Sequence, residues 1–273
     1  MGSMGATIAS PFGPPVPSVP LRAAPIVLVI AQLRFPVITG IDAGAGFLAP
    51  FQEAMRRDYG VLRKEKEFKI ALRPWEGSGA SEDRTAWQFE DQASAWRLRL
   101  SNDSVALSAP VYTNRADFLA RLSRLLEAMA THLHPSVCDR LGIRFVSRVA
   151  DPELLGRLPE LIEPMALGAI AALLGDNGGV LQHALADVAT SHEDQSTLRA
   201  RWGLLPANGT LDVTIEPVNT QSLAIDIDVA TATPLDYSPV AILDTAREFC
   251  DRQYRFFRWI VQDQFLREFG GEL

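Results

Sequence analysis

Residues 138–151 read CDRLGIRFVSRVAD. Leu141, Ile143, Phe145 and Val149 share one parity, and Arg140, Arg144 and Arg148 share the other. A period of two marks a strand with one face in a core and the other toward water. The apolar parity calls for a layer of helices to cover it. The arginine parity raises a functional question. A row of cations on one sheet face can meet nucleic acid, an acidic ligand or salt-bridge partners.

Working outward from this strand, the same order of elements is read twice. The first copy opens with APIVLVIAQLRFPVI (24–38), apolar on both faces as a buried strand is. A helix follows over 45–60, with Phe47, Phe51, Met55 and Tyr59 on one side and Gly60 as its C-cap. Four alternating runs come next: EFKIALR (67–73), AWQFED (86–91), AWRLRLS (95–101) and SVALSAPVY (104–112), with a polar break at 74–85. A helix over 113–133 closes the copy, capped by Thr113 or Asn114.

The second copy begins with 138–151. A helix over 152–175 follows, interrupted at Pro159 and Pro164. Four more alternating runs are expected at 179–189, 195–205, 210–217 and 222–230. A long helix over 238–270 ends the chain, its apolar side supplied by Ile242, Ala246, Phe249, Phe256, Phe257, Ile260, Phe265 and Phe269. The predicted class is therefore α+β: two tandem β-α-β-β-β-β-α units with antiparallel sheets covered on one face by helices, and a long C-terminal helix. The boundaries are a leader over 1–23, a first unit over 24–134 and a second over 135–273, packed as one globular body. LRF at 33–35 and IRF at 143–145 echo each other, which supports an internal duplication.

The bulk numbers narrow the partners. The chain has 273 residues, 47% of them hydrophobic, enough for a substantial core, and 22% charged. Its formal net charge is −7, a global field that disfavours nucleic acid, whose binders gain affinity by neutralising phosphates. The leader is Pro-rich and polar and is expected to be extended or disordered; its first four residues, MGSM, read as a cloning remnant. It lacks the basic start and apolar core of a secretory signal. The most apolar runs, 25–31 and 165–175, fall short of the ~20 residues that cross a bilayer. The expectation is a cytoplasmic protein with no membrane contact. Cys138 and Cys250 read as reduced, buried thiols, and His132, His134, His183 and His192 as surface or capping residues.

The outer strand parity carries the candidate site. Arg34, Arg97, Arg99, Arg144, Arg148, Arg199 and Arg201 alternate there with Glu90, Asp212, Glu216, Asp226 and Asp228. This near-balance favours a ladder of cross-strand ion pairs, each worth ~0.2–1 kcal/mol. The competing reading is a groove for an anion or acidic peptide, built from Arg34, Arg144, Arg148, Arg199 and Arg201. Asp226 and Asp228 project from one face, and Glu216 on a neighbouring strand would complete a set able to take Mg²⁺. Salt bridging to Arg199 or Arg201 uses the same geometry and needs no metal. No GxGxxG after a strand, phosphate-binding P-loop or GxSxG elbow occurs, and GSGAS (77–81) lacks the lysine of a phosphate cradle. Trp75, Trp87, Trp96, Trp202 and Trp259 read as core and interface aromatics. No cofactor is implied.

APIVLVIAQLRFP (24–36), APFQEAM (49–55), RLGIRFVSRV (140–149) and LAIDIDV (223–229) are similar to the signature stretches of a sporadically distributed bacterial family of uncharacterised proteins of this length. The resemblance implies carriage on mobile or accessory loci, such as defence or toxin–antitoxin clusters. The duplicated order also resembles the TATA-binding-protein-like architecture, an analogy of fold that carries no function. Three functions follow as expectations. The first is a non-catalytic cytosolic interaction protein whose partner is another protein encoded nearby, with a homodimer formed through the C-terminal helix. The second is a sensor that binds a small anionic ligand between sheet and helix, with the arginine row as its polar wall. The third is a metal-dependent enzyme using Asp226, Asp228 and Glu216.

Overall fold

The computed structural model describes residues 10–69, 82–174 and 181–273 of the chain. In the first half, β1 (Ile26–Arg34) leads to α1 (Ala45–Met55). The run β2 (Val61–Lys69), β3 (Glu82–Glu90), β4 (Arg97–Leu100) and β5 (Ser104–Ala109) follows, and then α2 (Arg115–His132). The second half opens with β6 (Val137–Cys138) and β7 (Arg140–Val149). Four short helices follow: α3 (Pro152–Gly156), α4 (Leu158–Leu161), α5 (Pro164–Leu167) and α6 (Ala169–Leu173). Then come β8 (Ala184–Ser191), β9 (Ser196–Leu205), β10 (Ser222–Thr231), β11 (Leu235–Asp236), α7 (Pro239–Ile260) and α8 (Asp263–Glu268).

The α+β class is as the sequence predicts. Nine strands form one antiparallel sheet in the order β2-β3-β4-β5-β1-β7-β10-β9-β8, and β6 pairs with β11 as a separate ribbon. β1 and β7 lie side by side at the junction of the halves, Val29 opposite Phe145 and Ala31 opposite Ile143. The helices bury the inner face. α7 packs on β7 and β10 and against α2, which in turn packs on α1. One core cluster runs through both halves, from Phe51 and Trp96 to Phe249 and Phe265.

Local chemistry accounts for most boundaries. The Asn114 side chain accepts from the Asp117 N–H at 2.9 Å and starts α2. Pro152, Pro159 and Pro164 each sit in the first turn of a short helix, so the predicted 152–175 helix is cut into pieces. Its expected end at Gly175–Gly179 lies outside the described residues. So do Ile70 and Leu72 of the second predicted strand, Trp75, the 77–81 stretch and most of the polar break at 74–85.

Several expectations are corrected. α1 stops at Met55, not at Gly60, and Phe47 on its expected buried side is exposed. The C-terminal helix is shorter than 238–270. It ends at Ile260, where Val261 bridges to Ile162 and the Gln262 amide donates to the carbonyls of Pro159 (2.9 Å) and Ile162 (2.8 Å). The 210–217 run is not a strand. It folds as turns within the β9–β10 connection, laid over the outer face of the sheet. The second half therefore contributes four strands to the sheet where the first contributes five. Residues 10–25 form neither helix nor strand, turn at 11–14 and 22–23, and are docked on the rest of the chain. The Phe12 ring meets His192 and Phe256, the Arg255 guanidinium donates to the Gly13 carbonyl, and the Val19 N–H donates to the Tyr254 hydroxyl at 2.8 Å.

Candidate functional site

The arginine row lies on the outer face, and most of it is engaged with its own chain. Register sets Asp226 beside Arg201 and Asp228 beside Arg144 and Arg199. The Asp226 carboxylate, 3% exposed, accepts from Arg144 Nε (2.7 Å) and Nη2 (3.0 Å), and from Arg201 Nη2 (2.5 Å). Arg144 also donates to Asp212 in the β9–β10 connection. Burial works against the charge on Arg144, but Asp226 and Asp212 outweigh it and lift the guanidinium above its ordinary range.

Arg148 has no acid. Its Nε donates to Ser222 (3.0 Å), Nη1 to the Glu216 carbonyl (3.2 Å) and Nη2 to the Gly209 carbonyl (2.7 Å). Burial alone lowers its pKa. Arg201 Nη2 also reaches the Leu211 carbonyl at 3.3 Å. Ile215 packs on Leu28 and Val146 beneath the same connection. The arginines thus hold residues 209–216 down on the sheet, and the carbonyls of Gly209, Leu211 and Glu216 accept from guanidinium groups in place of a ladder.

The remaining predicted residues lie apart. Arg199 pairs with Asp187 at the exposed far side of the sheet (2.6 Å). Asp228 pairs with Arg140 at 3.3 Å. Arg34 is exposed, opposite Arg140 in register, and has no ion-pair partner among the described residues. Glu216 is exposed and gives Arg148 its carbonyl, not its carboxylate. Asp226, Asp228 and Glu216 do not converge, and among the described residues no group of three metal-ligating side chains forms.

The inner face holds residues that the sequence reading did not assign to a site. A cavity of about 340 Å³ lies between β7, β10, α7, the start of α2 and the docked leader. Its floor is Phe145, Ser147, Ile225 and Ile227. It exists because of a parity exception. Leu141, Ile143, Phe145 and Val149 put large side chains under the helices, and Ser147 puts a small one in the same row. Val19 and Leu21 of the leader close one side, and Ser18, Pro20, Thr113 and Asn114 form an exposed rim.

The helix-side wall is Cys250, Gln253, Tyr254 and Phe257. Gln253, 3% exposed, occupies the apolar stripe of α7 between Phe249 and Phe256. Its Nε2 donates to the carbonyls of Ile143 and Ile227 (3.2 Å for the latter), tying helix to sheet, while its Oε1 is buried without a partner. The hydroxyls of Ser147 and Tyr112 also lack hydrogen-bond partners among the described residues. Burial raises the Tyr112 pKa and pushes the Cys250 thiol up to about 12, so both remain neutral at physiological pH. Both signals were present in the sequence, as a serine in an apolar strand row and a glutamine in an apolar helix stripe.

The arginine row and the cavity are on opposite faces of the sheet, so the arginines cannot form a polar wall for a ligand held between sheet and helix. Among the described residues no helix is long and apolar enough to cross a membrane. Neither a protein-family model nor a curated protein matches the chain, and the resemblance noted above rests on its four stretches alone.

Proposed function

We propose that the chain is a non-catalytic cytoplasmic protein that binds a small, mostly apolar molecule in the cavity between the sheet and α7. The carrying observation is the cavity itself: about 340 Å³ with buried Ile225 and Ile227 in its floor and an exposed rim. That volume falls at the lower end of the ~300–1,000 Å³ typical of small-molecule sites. A densely packed core does not leave such a space without cost, because each unfilled volume forfeits dispersion contacts. The test is binding of the neutral solvatochromic dye Nile red. Dye fluorescence should rise with the wild-type protein and fall back in Ala116→Trp, which puts a bulky side chain at the exposed mouth without touching the core. No rise in the wild type, or an equal rise in both, would overturn the reading.

We also propose that the sheet descends from a duplicated β-α-β4-α unit of TATA-binding-protein-like order, related to the bacterial family named above. What supports it is the arrangement of β1 and β7 at the centre, each flanked by the last long strand of its own half, β5 and β10. The 210–217 segment would then be the missing strand of the second copy. Recognition of a partner protein, or of a second copy through the C-terminal helix, has less support. Ile242, Ala246, Phe249, Phe256 and Ile260, on the apolar side of that helix, are buried in the core of their own chain.

A further inference from the structure

We infer that β8 is the docking edge for a second copy of this chain, which pairs its own β8 antiparallel about a twofold axis through Val188 and joins the two sheets into one. The inference is independent of the cavity. The two ends of the sheet supply the first observation. β2 at one end reads VLRKEKEFK, and its run of lysines and glutamates guards it against further pairing. β8 at the other end reads ALADVATS, without lysine, proline or a register shift, and among the described residues it pairs with β9 alone. The His192 N–H donates to the Ser196 carbonyl at 2.9 Å, and the β8–β9 ladder alternates from there. Ala184, Ala186, Val188 and Thr190 therefore turn their backbone groups toward β9. Leu185, Asp187, Ala189 and Ser191 turn theirs to the open edge, with exposed side chains on the outer face.

Charge supplies the second observation. A twofold axis normal to the sheet sets outer face beside outer face, so residues of like parity meet. Two such registers keep all but one residue of β8 paired. Centred on Asp187, the two carboxylates would stand opposite each other, which is unfavourable. Centred on Val188, Asp187 faces Ala189 of the partner subunit, and the residue beside Ala189 on the β8–β9 ladder is Arg199. The small alanine leaves that guanidinium room to reach the incoming carboxylate, two strand spacings or ~10 Å along the row. Arg199 is 60% exposed and Asp187 46% exposed, so both are open to this contact. Each acid then lies between cations of both copies, a match that a second copy brings with it and a foreign strand does not. The twofold uses both β8 edges and closes at a dimer.

Contact along one strand falls short of a standard interface, so association is expected in the micromolar range. Sedimentation velocity of the full chain across that range should show monomer passing to dimer and nothing larger. Ala189→Glu sets a like charge opposite Asp187 at both symmetry-related positions, while within the monomer it sits exposed beside Arg199. It should weaken the dimer about tenfold. Cysteine variants read the register. Val188 and its symmetry mate form a pair without mutual hydrogen bonds, ~4.5 Å apart at Cα and within disulfide reach. Under mild oxidation Val188→Cys should give a disulfide-linked dimer, whereas Ala186→Cys, which faces Thr190 of the partner subunit, should not. Cys138 and Cys250 are buried and do not compete. A wild type that stays monomeric, growth beyond the dimer, a dimer undiminished in Ala189→Glu, no cross-link from Val188→Cys, or equal cross-linking of the two cysteine variants overturns the inference.

Discussion

Asp226 holds two guanidinium groups on one buried carboxylate, and its removal should be costly. Asp226→Asn leaves Arg144 and Arg201 largely buried with a neutral acceptor in place of their shared anion. Breaking a buried pair from one side costs ~3–5 kcal/mol, and the partial exposure of both arginines sets the expectation near ~3 kcal/mol by urea unfolding. A loss below ~1 kcal/mol would mean the cluster behaves as an exposed ladder. Asp194 behaves differently. Its hydrogen bond from Arg252 holds the carboxyl at about 2, against burial, which pushes the other way. The unfolded value is ~3.9, so this contact stabilises the fold fully above pH ~4 and is lost as pH falls through the folded value. Asp194 is well exposed, and solvent screening limits the gain to ~0.5–1 kcal/mol. Urea titrations of wild type and Asp194→Asn should differ by that amount at pH 7 and converge near pH ~2. Cys250, whose pKa burial pushes up to about 12, should resist iodoacetamide at pH ~8 until the protein unfolds.

At the level of elements, β9 depends on a residue without a side chain. Gly203 has φ +140°, and a β-carbon there would lie 2.1 Å from the Ala184 carbonyl oxygen on β8. Gly203→Ala meets both backbone strain and a backbone clash, and should cost ~3 kcal/mol or more, read as a fall in Tm or loss of soluble protein. The strands were legible because their pattern is local. The parities of 24–38, 95–112, 138–151 and 222–230 follow from residues two apart, and they placed the arginines on the outer face correctly. The 210–217 segment misled because Leu211, Val213 and Ile215 alternate as a strand would, yet Val213 is 96% exposed. What holds that segment is distant in sequence: Arg148 is 61 residues from Gly209 and 68 from Glu216. The end of α7 at Ile260 is likewise fixed by contacts to 159–162, about a hundred residues away. The cavity was half legible. Ser147 and Gln253 stood out from apolar rows, but only the fold brings those rows face to face.

The whole molecule should unfold as one unit. The core cluster is continuous across the halves, α2 rests on α7, and β1 and β7 share an antiparallel ladder from Leu28 to Arg34. Calorimetry should show a single transition with equal calorimetric and van't Hoff enthalpies. Residues 24–134 expressed alone should fail to give a cooperative transition, since they would expose the β1 edge and the α2 surface that α7 covers. A second consequence comes from the docked leader. The Ala23 N–H donates to the Phe269 carbonyl at 3.1 Å, Arg22 pairs with Glu272, and a β-carbon on Gly271 would touch the Val19 side chain at 3.0 Å. Topologically the fold is a nearly closed ring. A short linker from Leu273 to Ser18, with new ends cut in the exposed turn at Ser94, would permute the order of the elements while keeping every strand neighbour. Such a rearranged chain should reproduce the far-ultraviolet circular dichroism of the parent, because no contact in the sheet depends on which half is made first.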